Sequence, residues 1–132
     1  MRLSRIFANL VGFMLFVQVI LGGASVLLNF PIGYHLVWGI AAFIVLLIAT
    51  GFIVRDYGSR STLFRVCVAA IVDFVVQGIL GLFSFSSDTV VVIHLANAFI
   101  LAIIVTYLIS FAVSAQRKAV TPRVQVAGSP TA

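Results

Sequence analysis

Four apolar runs, broken only by isolated polar residues, occupy positions 6–28, 34–54, 63–83 and 89–113 of the chain. Each reaches the ~20 residues needed to cross a hydrocarbon core ~30 Å thick. The runs are apolar on every side, whereas the strands of a membrane barrel alternate polar and apolar residues, so the pattern predicts four transmembrane helices. The connections NFPIG (29–33), RDYGSRST (55–62) and SFSSD (84–88) are short. Short connections make consecutive helices antiparallel neighbours, which predicts an all-α, up-down-up-down four-helix bundle in the membrane over residues 1–113. Beyond position 113 the chain turns polar and contains Pro122, Gly128 and Pro130. That composition predicts a disordered tail over 114–132.

Charge then orients the bundle. The eight basic residues, Arg2, Arg5, Arg55, Arg60, Arg65, Arg117, Lys118 and Arg123, fall at the N-terminus, around the second connection or in the tail. The first and third connections contain no Lys or Arg and a single acid, Asp88. The positive-inside rule therefore predicts a multi-pass protein of the cytoplasmic membrane with the N-terminus, the middle loop and the tail in the cytoplasm. The formal charge of +5 would elsewhere suggest nucleic acid. A chain that is 63% hydrophobic and 8% charged has no polar face to carry such a patch, so no nucleic acid is expected and the bilayer is the first partner. The same figures, with a mean hydropathy of +1.28, exclude a soluble enzyme. Residues 1–24 imitate a signal peptide, with Arg2 and Arg5 ahead of an apolar run. The repeat described next needs this segment retained as the first span.

The sequence Gln18-Val-Ile-Leu-Gly22 recurs as Gln77-Gly-Ile-Leu-Gly81, 59 residues later. The same offset carries His35-Leu36 onto His94-Leu95, so both halves read Q-x-I-L-G-x12-H-L. Matches of Leu and Ile mean little in so apolar a chain, but His35 and His94 are its only 2 histidines. Each half contributes two helices, so the halves run the same way and form a parallel repeat about an axis along the membrane normal. Both histidines fall within about two turns of the outer helix ends, roughly 5–8 Å into the core at 1.5 Å per residue. The symmetry predicts two imidazoles facing each other at one depth, with Gly22 and Gly81 at a similar level. Gly39 and Ala98 follow one turn along the same faces. Opposed imidazoles among small residues describe a slot for a flat macrocycle, and haem iron takes axial histidines from both sides in a bundle core. Zinc would lack ligands, since two histidines have no Cys or acid beside them. Gln18 and Gln77 are read either as interhelical hydrogen-bond glue or as orienting partners of the histidines.

Asp73 also requires a reason, because it lies about 12 Å beyond Arg65 at helical rise. Its mate in the repeat is Met14, so the acid breaks the symmetry. A carboxyl at such depth is paired, protonated or functional, which leaves structural hydrogen bonding to Thr50, Thr106, Tyr107 or Ser110 beside a proton or quinone role. Cys67 is read as a packing residue. Trp38, Tyr34 and Tyr57 suit the interfacial belt, and Trp38 is also placed to touch a bound ring.

A Gln-containing ILGG-type segment followed by a His at the outer start of the next helix resembles half of a haem A synthase. Those proteins are built from two fused four-helix halves with a His on the second and fourth helix of each. The chain also resembles small uncharacterised four-helix membrane proteins with Q…G and H-x-x-N-A signatures, the latter matched by His94-Leu-Ala-Asn97-Ala98. The resemblance spans roughly residues 6–113 and implies His35 and His94 as axial ligands of one haem b. The catalytic half of a haem A synthase carries an acid, and often a cysteine pair, in its first outer loop; residues 29–33 have neither. The chain thus looks like the half that holds haem b without catalysis. The expectation is a small bis-His subunit of a respiratory or terminal oxidase assembly, with other membrane subunits or further copies of itself as partners. Two alternatives stand: a half-size haem A synthase-like enzyme working as a homo-oligomer, and a non-haem structural subunit.

Overall fold

The computed structural model describes residues 3–120, with side-chain environments assigned through residue 115. The described residues form four helices: α1 (Leu3–Leu27), α2 (Ile32–Tyr57), α3 (Thr62–Phe83) and α4 (Asp88–Val120). A single 3-10 turn, Ser84–Ser86, precedes α4. All four helices are long and apolar enough to cross a membrane. In lipid a spanning segment must satisfy its own backbone, and the helix does so residue by residue despite the many β-branched side chains.

The turns are set by local chemistry. Asn29 closes α1 with φ 54°, and the N–H of Phe30 donates back to the Ala24 carbonyl (3.2 Å). Asparagine tolerates that left-handed conformation better than other side-chain-bearing residues. Pro31 stands at the start of α2, where its missing N–H costs nothing. Gly58 ends α2 at φ 83°, a conformation that glycine adopts without steric cost, and donates to the Val54 carbonyl (2.8 Å). Ser61 caps α3 by accepting a bond from the Phe64 N–H (3.2 Å). Asp88 places a negative charge in the first turn of α4, where the helix dipole favours it.

The helices begin one to three residues earlier than the apolar runs, at Leu3, Ile32, Thr62 and Asp88. The larger difference is at the other end of α4, which continues to Val120 where a tail was expected from 114. Residues 114–120 (SAQRKAV) are mostly good helix formers with no breaker before Pro122, so the helix carries on past the apolar stretch. The remainder of the expected tail, 121–132, lies outside the described residues.

The packed core gathers at one end of the bundle. Ala8, Val11 and Leu15 of α1 meet Leu46, Ala49 and Ile53 of α2, Leu63, Cys67 and Ala70 of α3, and Leu101, Val105, Leu108 and Ala112 of α4. This is the end that carries the α2–α3 turn, hereafter the near end. Ring contacts reinforce it: Phe7 stacks on Phe52 at 4.9 Å and Phe43 tilts against Phe74 at 5.3 Å. Where the α1–α2 and α3–α4 turns lie, at the far end, the helices are only half-buried.

Most buried positions obey the 59-residue repeat. Ser4 and Leu63, Ala8 and Cys67, Val11 and Ala70, Ala42 and Leu101, Leu46 and Val105, Ala49 and Leu108, and Ile53 and Ala112 are mates at that offset, and all are buried. Within most pairs one member is large and the other small. Mates in a two-fold arrangement share one depth around the axis, so two bulky copies would compete for the same space. Complementary sizes fill it instead.

Candidate functional site: a paired glutamine–histidine centre

Each helix pair repeats one local construction. In the first, Gln18 on α1 reaches across to His35 on α2: its Nε2 donates to His35 Nε2 at 3.2 Å. In the second, Gln77 on α3 donates from Nε2 to His94 Nε2 on α4 at 3.3 Å. Both contacts span seventeen residues of chain, so the sequence repeat is also a structural one.

Glycine is what allows the imidazoles to lie so close. A Cβ added at Gly22 would stand 2.9 Å from His35 Cε1, and one at Gly81 would stand 3.2 Å from His94 Cε1. The glycines therefore seat the histidine rings. Gly39 does the same for the glutamine of the first half, since a Cβ there would stand 2.8 Å from Gln18 Nε2. Ala98 lies one turn beyond His94 and is half-buried.

The two imidazoles face each other across the bundle with ring centres 6.4 Å apart and planes at 75°. His35 Nδ1 donates to the Gln18 backbone carbonyl at 3.1 Å. A proton on Nδ1 leaves Nε2 with a lone pair, which the Gln18 amide engages. That is the neutral form able to bind a metal through Nε2. His94 Nδ1 is turned toward the corresponding Gln77 carbonyl but is buried outside hydrogen-bond geometry.

No family model, curated protein or solved structure matches the chain. The site must be read from its own chemistry.

The two halves differ around this shared unit. Gln77 Oε1 accepts a bond from Asn97 Nδ2 at 2.9 Å, and the Asn97 side chain lies beside one oxygen of the Asp73 carboxyl. The other oxygen, Asp73 Oδ2, is buried without a hydrogen-bond partner among the described residues. At the equivalent places in the first half stand Met14 and Trp38. There the Trp38 Nε1 donates to the Met14 backbone carbonyl at 2.8 Å, and Gln18 Oε1 is buried without a partner among the described residues.

These contacts give the surroundings of three features named from the sequence. The Gln18 and Gln77 amides stand on the Nε2 atoms of His35 and His94. Trp38 braces α2 against α1 through its indole N–H. Asp73 is met by Asn97, while Thr50, Thr106 and Ser110 bond carbonyls of their own helices at 2.8–2.9 Å. A hydroxyl four residues past a carbonyl finds that bond without leaving its helix. Cys67 is buried in the core, in keeping with a packing role.

Proposed function

We propose that the protein is a small b-type haem-binding subunit of the cytoplasmic membrane, with His35 and His94 as the two axial ligands of one haem. The observation that carries this reading is the pair of opposed imidazoles with ring centres 6.4 Å apart. Two imidazoles that share one metal have ring centres ~6.3 Å apart, given metal–nitrogen bonds of ~2.0–2.1 Å and ~1.1 Å more from nitrogen to ring centre. The hydrogen bond from His35 Nδ1 to a backbone carbonyl orients the ring and frees Nε2, as ligating histidines require. The amides of Gln18 and Gln77, which stand on the two Nε2 atoms, would have to withdraw for a metal to be held there. Gly22 and Gly81 keep each ring against the neighbouring helix. When bound, a haem supplies one-electron redox chemistry at this level of the membrane. The resemblance to the non-catalytic half of a haem A synthase supports the same assignment, and a respiratory or oxidase assembly is the partner it implies.

One observation favours a second reading. Both Nε2 atoms already receive an amide donor, which suits a structural subunit whose histidines only hydrogen-bond. The visible spectrum of the purified full-length protein, with pyridine haemochrome analysis, separates the two. Haem b supports the proposal. Haem A or O would favour the synthase-like enzyme, and a protein without haem after expression in haem-replete cells would favour the structural subunit.

We place both chain ends in the cytoplasm, from the distribution of Lys and Arg. A C-terminal reporter active only outside the cytoplasm should be silent, and a strong signal would reverse the orientation.

A further inference from the structure

The lipid-facing side of α4 carries a concavity that the histidine centre does not use. Phe99, Ala102, Ile103, Thr106, Tyr107 and Ser110 line an open space of about 360 Å³ there. They form two parallel rows at a spacing of four residues. Ala102, Thr106 and Ser110 make a small row, and Phe99, Ile103 and Tyr107 make a large row beside it. The large row stands out from the bundle, with Phe99 72% exposed, Ile103 69% and Tyr107 52%. Both hydroxyls of the small row are turned onto their own helix. Thr106 Oγ1 donates to the Ala102 carbonyl at 2.8 Å, and Ser110 Oγ to the Thr106 carbonyl at 2.9 Å. That keeps the row low and leaves two oxygens that can still accept. Tyr107 is the counterpart. Its ring leans on Phe111 at 4.6 Å, and its hydroxyl has no hydrogen-bond partner among the described residues. It lies eight residues before the end of the span at Ala115, about 12 Å along the helix. Side chains tilt toward the N-terminus of their helix, which in α4 leads deeper into the bilayer. Lipid tails offer a hydroxyl nothing, so this one calls for an acceptor on another protein surface.

We propose that this face pairs with the same face of a second copy of the chain, making a parallel homodimer through α4. Two copies inserted alike in one membrane run their α4 helices in the same direction, related by a two-fold axis along the membrane normal. Such an interface needs a surface that is its own complement. Here Ile103 stands next to Ala102 and Tyr107 next to Thr106, so ridge and groove lie side by side at the same levels. The ridge of each copy then enters the groove of the other. A foreign helix would call for the groove alone. Small residues four apart admit the close right-handed crossing of ~40° by which membrane helices pair. At that approach the Tyr107 hydroxyl of one copy finds the free acceptor sites of Thr106 and Ser110 on the other. None of the six residues is charged, so nothing on the face repels its own copy. The 59-residue repeat shows that the surface is particular to α4. On α2 the mates of the small row are Phe43, Leu47 and Gly51, and Phe43 is turned to Phe74 at 5.3 Å. One such face per chain closes the assembly at two copies. The inference stands apart from the haem reading.

The test uses the full chain, carrying a donor or acceptor dye at one end, in phosphatidylcholine vesicles over a range of protein-to-lipid ratios. Energy transfer reports association, and photobleaching steps should count two copies per assembly. Ala102→Leu fills the groove without touching the packed core. It should move the half-association ratio roughly tenfold or more toward higher protein, the scale of an overpacking cost. Thr106→Leu should do the same. Tyr107→Phe removes only the hydroxyl and should move the ratio roughly threefold, the scale of one interhelical hydrogen bond in a membrane. Gly51→Leu lies on the corresponding face of α2 with open space around it and should change nothing. Circular dichroism should show the wild-type helical content in every variant, since all four positions face lipid. Cross-linking gives a second measurement without bulky side chains. Under mild oxidation Ile103→Cys should join two copies, while Ile44→Cys, its mate on α2, should not; the native Cys67 is buried and supplies no background. A wild type that is monomeric at every ratio would overturn the proposal. So would a Gly51→Leu loss as large as that of Ala102→Leu, or equal cross-linking at Ile44→Cys. A monomeric wild type that retains a different membrane protein, lost in Ala102→Leu, would assign the face to that protein and refute the dimer.

Discussion

The near and far ends of this bundle treat the same repeat in opposite ways. At the near end, mates 59 residues apart are buried and differ in size, as with Ala49 and Leu108 or Ile53 and Ala112. At the far end the mates are identical, Gln18 with Gln77, Gly22 with Gly81 and His35 with His94, and they remain half-buried. Packing around a two-fold axis needs unlike volumes, because like volumes either collide or leave a void. A centre that presents two equal donors needs like groups. The difference separates an end built for cohesion from one where matched polar groups are paired across the helices.

The sharpest way to break the comparison is at the far end. His35→Ala or His94→Ala should each lose most of the haem or leave a five-coordinate spectrum, and the two losses should be alike. Helical content should hold, because neither ring belongs to the buried core. A variant that retains a six-coordinate low-spin spectrum would end the shared-site assignment.

The glycine seats come next. Gly22→Ala places a Cβ 2.9 Å from His35 Cε1, closer than the 3.2 Å met by Gly81→Ala at His94. Haem content should fall in both and further in the first. Equal haem content in wild type and Gly22→Ala would show that the ring does not depend on its seat.

At the near end the expectation concerns stability. Ala49→Leu should destabilise the bundle by ~1–3 kcal/mol through overpacking against Leu108. The exchange Ala49→Leu with Leu108→Ala should recover most of that loss, as read by a double-mutant cycle in a mixed-micelle unfolding titration. Additive losses would mean that the mates do not share a space. The smallest effect is expected from Trp38→Phe, which removes one indole donor from the Met14 carbonyl. It should cost ~0.5–1.5 kcal/mol and leave haem content unchanged; a marked loss of haem would place the indole at the ring after all.

The helices and the two histidines were legible in the chain because both depend on strong signals. Twenty apolar residues have few alternatives to a spanning helix, and two histidines in register behind a matched Gln and Gly stand out where most other matches are aliphatic. The end of α4 was not legible from hydropathy, since residues beyond 113 continue as helix on propensity alone. Nor was the partner of Asp73, because depth along a helix does not say which way a side chain points. Thr50 and Thr106 satisfy themselves locally, and only the three-dimensional arrangement brings Asn97 between Asp73 and Gln77. The closure of the slot by the two amides was hidden for a related reason. A glutamine long enough to reach the far nitrogen of an imidazole is also long enough to cover it.

The unlike sizes of the buried mates have a consequence during synthesis. The first two helices leave the ribosome before the last two and, in the membrane, can meet the first two helices of another chain. Such a pairing would set Leu46 against Leu46 and Ile53 against Ile53, while Ala42 and Ala49 would face their own copies across gaps. It would alternate collision with emptiness along the seam. The second pair offers Ala112, Leu101 and Leu108 opposite Ile53, Ala42 and Ala49 and relieves the conflict at those three levels. The near end therefore lets the early half discriminate, declining its own likeness and remaining open for its sequel.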